Sequence, residues 1–154
     1  MKAVIIMGSK SDLDYCKKIA EKITQFGIEC VLRVASAHKT PEKVLEIIRE
    51  HEKDDVVFVT VAGRSNALSG FVDANTHKPV IASPPYSDKF GGADIFSSIR
   101  MPSGVAPMLV LEAENTALAV AKIFAMKNEM MREKVIQFQE EKREEIYKAD
   151  DEMR

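Results

Sequence analysis

Three short stretches of small and polar residues carry the atoms that could do chemistry in this chain. Gly8-Ser9-Lys10-Ser11-Asp12, Ser36-Ala37-His38-Lys39 and Ala62-Gly63-Arg64-Ser65-Asn66 each follow an apolar run and precede an amphipathic one. Small side chains let an anion approach free backbone N–H groups, the N-terminus of a following helix favours negative charge, and serine hydroxyls add donors. Each loop alone also reads as helix capping and turn chemistry, the ordinary work of Ser, Thr and Asp. Three together, brought to one place, would make a phosphate cradle without a Walker motif or a GxGxxG fingerprint. Asp12 would cap its helix or accept from ribose hydroxyls, and Lys39 and Arg64 would neutralise phosphate charge. His38, one residue before Lys39, has the side chain most suited to moving a proton near neutral pH. His51 and His77 read as surface residues. No Cys, His or carboxylate cluster has metal-ligand spacing, so no metal is expected.

The elements that must position these loops follow from hydrophobic periodicity. Val4-Ile5-Ile6-Met7, Cys30-Val31-Leu32-Arg33-Val34, the run at 56–62, the run at 79–83 and the run APMLVLE at 106–112 predict five strands. The second to last of these are set apart by helical patterns: Leu13, Cys16, Ala20 and Ile23 for the first, and Val44, Ile47 and Ile48 for the second, which Thr40 would cap and Pro41 open. A third helix is expected over 65–75 and a short one over 94–100, inside the Gly, Pro and Ser-rich segment 84–107. This alternation predicts an α/β protein: a three-layer α/β/α sandwich on a parallel five-stranded sheet, with right-handed crossovers. Ligands in such sheets bind beyond the carboxyl ends of the strands. In the flavodoxin-like strand order 2-1-3-4-5 the first strand lies between the second and third, so the three polar loops become neighbours.

With 154 residues, 45% of them hydrophobic, the chain supports one core and is read as a single domain over 1–154. Residues 114–126 are apolar on nearly every side, predicting a helix buried on several faces, with another subunit as one candidate cover. The charged tail from 129 reads as a helix with a thin stripe of Met131, Val135 and Phe138, either a solvated face or a dock for a neighbouring subunit over about 129–150. A net charge of −2 argues against a nucleic-acid or anionic-membrane surface. The apolar run after Met1 is too short for a signal core or a membrane span, and Cys16 and Cys30 are too few for a secreted disulfide framework, so a cytoplasmic protein with reduced thiols is expected.

The stretches MGSKSD, SAHKTP, AGRSNALSG and DIFSSIRMPSG, spanning 7–104, resemble the catalytic subunit family of phosphoribosylaminoimidazole carboxylase, PurE. The resemblance implies a flavodoxin-like fold, a homo-oligomer (an octamer or tetramer), and formation of 4-carboxy-5-aminoimidazole ribonucleotide (CAIR) in purine synthesis, with no ATP, biotin or metal. It places Gly8, Ser9, Ser11, Asp12, Ser36, Ala37, Lys39, Ala62, Gly63, Arg64, Ser65, Asn66 and Leu68 at the ribonucleotide and His38 at the proton transfer. Two classes divide the family. In the mutases, which rearrange an N5-carboxylated ribonucleotide, the third loop carries a histidine where this chain has Ala67 and a proline where it has Ser69, and an arginine stands at the place of Lys39. The departures resemble the second class, which includes the carboxylase domain of the animal bifunctional enzyme and carboxylates aminoimidazole ribonucleotide (AIR) with CO2. Receiver modules and flavin proteins share the fold. GSKSD and AGRS lack the receivers' acidic cluster and phosphorylatable Asp, and a chain with no Trp and 3 Tyr offers little to stack on a flavin.

Overall fold

The computed structural model describes residues 1–154. Its centre is a parallel sheet of five strands in the order β2-β1-β3-β4-β5, where β1 is Lys2–Met7, β2 Glu29–Val34, β3 Val56–Val61, β4 Val80–Ala82 and β5 Met108–Leu109. Residues along β1 and β3 alternate between two apolar layers, as the period of a strand requires. Ala3, Ile5, Met7, Val57, Val59 and Val61 face one layer, and Val4, Ile6, Val56 and Phe58 face the other.

Helices α1 (Leu13–Gln25), α5 (Ala113–Ala125) and α6 (Glu129–Glu152) cover the first face, and α2 (Pro41–His51) and α3 (Ala67–Asp73) cover the second. The expected three-layer sandwich is therefore present, with the predicted strand order. Differences lie at its edges. The fifth strand is only two residues long, because β4 has three and gives it only Ile81 and Ala82 to pair with. The third helix starts at Ala67 rather than 65, since Asn66 is its N-cap, with non-helical backbone (φ −84°, ψ 68°) and a side chain that accepts from the Ser69 N–H. The short helix expected over 94–100 is α4, Phe96–Ile99, preceded by 3₁₀ turns over Lys89–Ile95 that Phe90, Gly91 and Gly92 interrupt at positive φ.

The two helices considered as subunit contacts find partners within the chain. Thr116, Ala117, Val120, Ala121, Phe124 and Ala125 of α5 are buried between α1 and α6. Met131 and Val135 of α6 are buried in the same layer, and Phe138 tilts against Phe26 at 5.4 Å between ring centroids. The stripe is therefore covered within the chain rather than solvated. Asn128 starts this docking by capping α6, its side chain accepting from the Met131 N–H at 2.8 Å. Only the distal turns, with Ile146 and Tyr147, stand free of the body.

No helix is long and apolar enough to cross a membrane. Burial pushes the Cys16 thiol up to about 12 and the Cys30 thiol up to about 11, which makes both poor thiolates. His51 departs from its surface reading: its ring is largely covered and Nδ1 lies 3.0 Å from Asp54 Oδ2. Hydrogen bonds from Lys2 and then His51 hold the Asp54 carboxyl down to about 2.

Candidate active site

The strand order brings the three polar loops together at the carboxyl end of the sheet, and two backbone bonds fix them there. The Gly8 N–H donates to the Val61 carbonyl at 2.9 Å, tying the first loop to the third, and the Ala35 N–H donates to the Met7 carbonyl at 3.0 Å, tying the second to the first. Position 8 sits where a Cβ would come 3.5 Å from that of Ala62, so a small residue keeps the loops close without strain.

The first two loops fold on themselves through their serines. Ser9 starts a 3₁₀ turn over Lys10–Asp12, its hydroxyl oxygen accepting from the Ser11 N–H (3.2 Å) and the Ser11 hydroxyl (2.9 Å). In the second loop the Ser36 N–H donates to Thr40 Oγ1 at 2.9 Å and the Thr40 N–H returns to the Ser36 carbonyl at 2.8 Å, while the Lys39 N–H donates to Ser36 Oγ at 3.3 Å. This closed turn pushes His38 and Lys39 out at its tip, where both are exposed. Thr40 accordingly does not cap α2 with its side chain, as the sequence had suggested; its hydroxyl closes the turn instead. Asp12 likewise makes no capping bond to α1, which leaves its carboxylate to the cleft. Burial pushes the Asp12 carboxyl above the usual carboxylate range, and a hydrogen bond from the Ser9 backbone pulls in the opposite direction.

Together the loops enclose a cleft of about 440 Å³ lined by Gly8, Ser9, Ser11, Asp12, Ser36, Ala37, His38, Lys39, Ala62, Gly63, Arg64, Ser65 and Leu68. Every candidate from the sequence lies on it except Asn66. That side chain is 2% exposed and turned beneath the loop: Oδ1 caps α3 by accepting from the Ser69 N–H (3.1 Å), and Nδ2 donates to Ser98 Oγ (2.9 Å). Asn three residues before Ser at a helix start is capping spacing, the signal that separates it from its neighbours.

Lys39 and Arg64 bring positive charge to the lining, Ser9, Ser11, Ser36 and Ser65 bring hydroxyls, and His38 lines the same cleft. An anionic ligand carrying a proton to be moved fits this arrangement. A second, more apolar cavity of about 580 Å³ adjoins the cleft through Ala62 and Gly63 and includes Tyr15, Pro84, Pro85 and Glu112. Beneath it runs a chain of hydroxyls that no local motif announces: Tyr15 to Ser83 (3.2 Å), Ser83 to Thr116 (2.7 Å), and Thr116 to the Glu112 carbonyl (2.8 Å). Burial raises the Tyr15 phenol above its ordinary range, keeping it a hydrogen-bonding hydroxyl. No group of three or more His, Cys, Asp or Glu side chains is placed to hold a metal ion.

The profile of the AIR carboxylase family matches residues 2–145. The chain belongs to the AIR carboxylase family. It is 85% identical over 154 residues to a phosphoribosylaminoimidazole carboxylase of Archaeoglobus fulgidus, covering 100% of this chain and 86% of that one. An N5-carboxyaminoimidazole ribonucleotide mutase of Methanocaldococcus jannaschii is 40% identical over 153 residues, covering 97% of this chain and 96% of the relative. The crystal structure of Treponema denticola PurE superposes with a TM-score of 0.95 at 46% identity, covering 97% of this chain and 96% of that one. The family resemblance read from the loop motifs thus holds over nearly the whole chain, and the sandwich is the family's fold.

Proposed function

We propose that this enzyme carboxylates AIR at C4 with CO2 to give CAIR, reversibly. The observation that carries the proposal is the convergence of His38 with the serine-lined, cationic cleft in a chain of this family. The AIR phosphate sits against the loop amides and hydroxyls of Ser9, Ser11 and Ser36, with Lys39 balancing its charge, and Asp12 accepts from ribose hydroxyls. The C5 amino group makes C4 of the imidazole electron-rich. Its electron pair forms the new bond to the CO2 carbon, the C4–H bond then breaks with its electrons returning to the ring, and His38 takes that proton and passes it to solvent. The ring supplies the nucleophile, so the step as written needs no cofactor.

Two features support the carboxylase over the mutase. Lys39 and Ala67 are the residues of the second class by resemblance. Ser69 adds a structural reason: its N–H holds Asn66 Oδ1 at 3.1 Å, and a proline there, as in the mutases, would have no N–H to give. The mutase reading is kept by the Methanocaldococcus relative. Supplying AIR with CO2 and, separately, the N5-carboxy compound distinguishes them. CAIR from AIR and CO2 without nucleotide triphosphate is expected, and CAIR from the N5-carboxy compound alone would replace this reading with the mutase.

The 154 residues act as one domain in the cytoplasm, and copies assemble into a homo-oligomer, a tetramer or octamer. The exposed Tyr86, Phe90, Phe96 and Ile99, and the free end of α6 with Ile146 and Tyr147, are the apolar surfaces that favour such an assembly.

A further inference from the structure

Asn66 lies behind the third cleft loop, and its bonds reach further than a helix cap requires. Capping α3 uses Oδ1 alone. The backbone N–H of Asn66 donates to Ser97 Oγ at 2.9 Å, and Nδ2 donates to Ser98 Oγ at 2.9 Å, with Ser98 itself 3% exposed. Ser97 Oγ in turn donates to the Asp94 carbonyl at 2.7 Å and lies 3.4 Å from the Arg64 carbonyl. One hydroxyl, about thirty residues along the chain, therefore touches the backbone on both sides of Ser65. It does so where Arg64 holds a left-handed conformation (φ 57°) that a residue with a Cβ rarely keeps unless its surroundings hold it.

We infer that Asn66, Ser97 and Ser98 form a positioning clamp that fixes the Gly63-Arg64-Ser65 wall of the cleft for the carboxylation step without touching the substrate. The inference rests on the carboxylation reading for what the wall is positioned to do. None of the three side chains lines the cleft. Attachment of the 94–106 segment to α3 does not depend on the clamp, because two further contacts hold it away from the site. The Ala106 N–H donates to Asp73 Oδ2 at 2.7 Å, and Met101 packs over Gly70 so closely that a Cβ there would meet its sulfur at 2.9 Å. The clamp's separate consequence is the shape of the loop. The phosphate cradle of the first two loops has its own bonds, so losing the clamp acts on kcat more than on KM.

The test compares Asn66→Ala, Ser97→Ala and Ser98→Ala with Asp73→Ala, which cuts the same segment's attachment at the far end. Steady-state kinetics on AIR and CO2, thermal unfolding, and amide hydrogen exchange at 63–66 are measured for each. Asn66→Ala is expected to lower kcat about 10²-fold, the scale of a wall misplaced by about 1 Å. Ser97→Ala and Ser98→Ala should lower it about 10-fold, with faster exchange at 63–66 and KM within about threefold. Asp73→Ala should lower the melting temperature and leave kcat and KM unchanged. Unchanged kcat in folded Ser97→Ala and Ser98→Ala, or unchanged exchange at 63–66, overturns the clamp, and these two variants decide if Asn66→Ala does not fold. Wild-type protein inactive on AIR and CO2 defeats the carboxylation reading separately, and the exchange measurement still judges the clamp.

Discussion

The carboxyl edge of the sheet is built in two ways. Over β2, β1 and β3 the connections to the following helices are short, and their backbone is bonded back onto strand ends, as Gly8 is to Val61 and Ala35 to Met7. Over β4 and β5 the chain runs from Ser83 to Glu112 through only 3₁₀ turns, the one-turn α4 and the two-residue β5, places Phe90, Gly91, Gly92, Gly104 and Glu112 at positive φ, and leaves Tyr86 90% and Phe90 83% exposed. Groups that must meet a substrate at fixed distances stand on the first kind of loop, where burial of the strands beneath leaves the backbone little freedom. The second kind is held to the body by side chains such as Asn66 and Asp73, and it supplies a cavity wall and an apolar surface.

That contrast can be broken from below. Phe58 is fully buried under the short loops, against α2 and α3, and Phe58→Ala should cost about 3–5 kcal/mol by urea unfolding, enough to take the cleft with the fold. Lys39→Ala acts from above, at an exposed position, and should weaken AIR binding about tenfold in calorimetry with the melting temperature unchanged. An unchanged dissociation constant would leave Lys39 as a surface charge.

A pair of glycines sharpens the contrast further. Gly91→Ala meets no atom within 4 Å but must keep φ near +60°, so it should lose about 1 kcal/mol of stability and keep its kinetics. Gly8→Ala, unstrained and lining the cleft, should do the reverse, with AIR affinity falling and the melting temperature kept. The smallest effect concerns the thiols of the first apolar layer. Their folded values of about 12 and about 11 lie above the unfolded value near 8.5. Stability from the neutral thiols is thus fully present below about pH 8.5 and is lost as pH rises toward the folded values. A urea midpoint that falls between pH 7 and pH 10, and falls less in Cys16→Ala, is the expected result.

The same division decides what could be read from the sequence. β1 and β3 are apolar runs ending in small, Gly-containing loops, so the strands and the three loops followed from pattern, while their order came with the flavodoxin-like arrangement. The loops' inner bonding did not, because Thr40 before Pro41 looks the same whether its hydroxyl caps a helix or closes a turn on Ser36. Asn66 looked like a wall residue for the same reason, since its role depends on Ser97 and Ser98, which no local pattern links to it. The stripe of α6 was visible, but which surface covers a stripe is a tertiary fact, settled here by Phe26 and the layer formed by α1 and α5. In the 84–107 segment the glycines marked irregular backbone without fixing its path.

His38, at the tip of the closed Ser36–Thr40 turn, is the group proposed to move the proton, and His38→Asn tests that role most directly. Asn keeps much of the size and a hydrogen-bonding end but exchanges no proton near neutral pH. AIR carboxylation, CAIR decarboxylation, AIR binding and thermal unfolding are measured on the one variant. Turnover is expected to fall at least ~10²- to 10⁴-fold in both directions, since the imidazole that removes the C4 proton must also return it, with binding and unfolding close to wild type. Near-normal turnover in a folded protein would contradict that role.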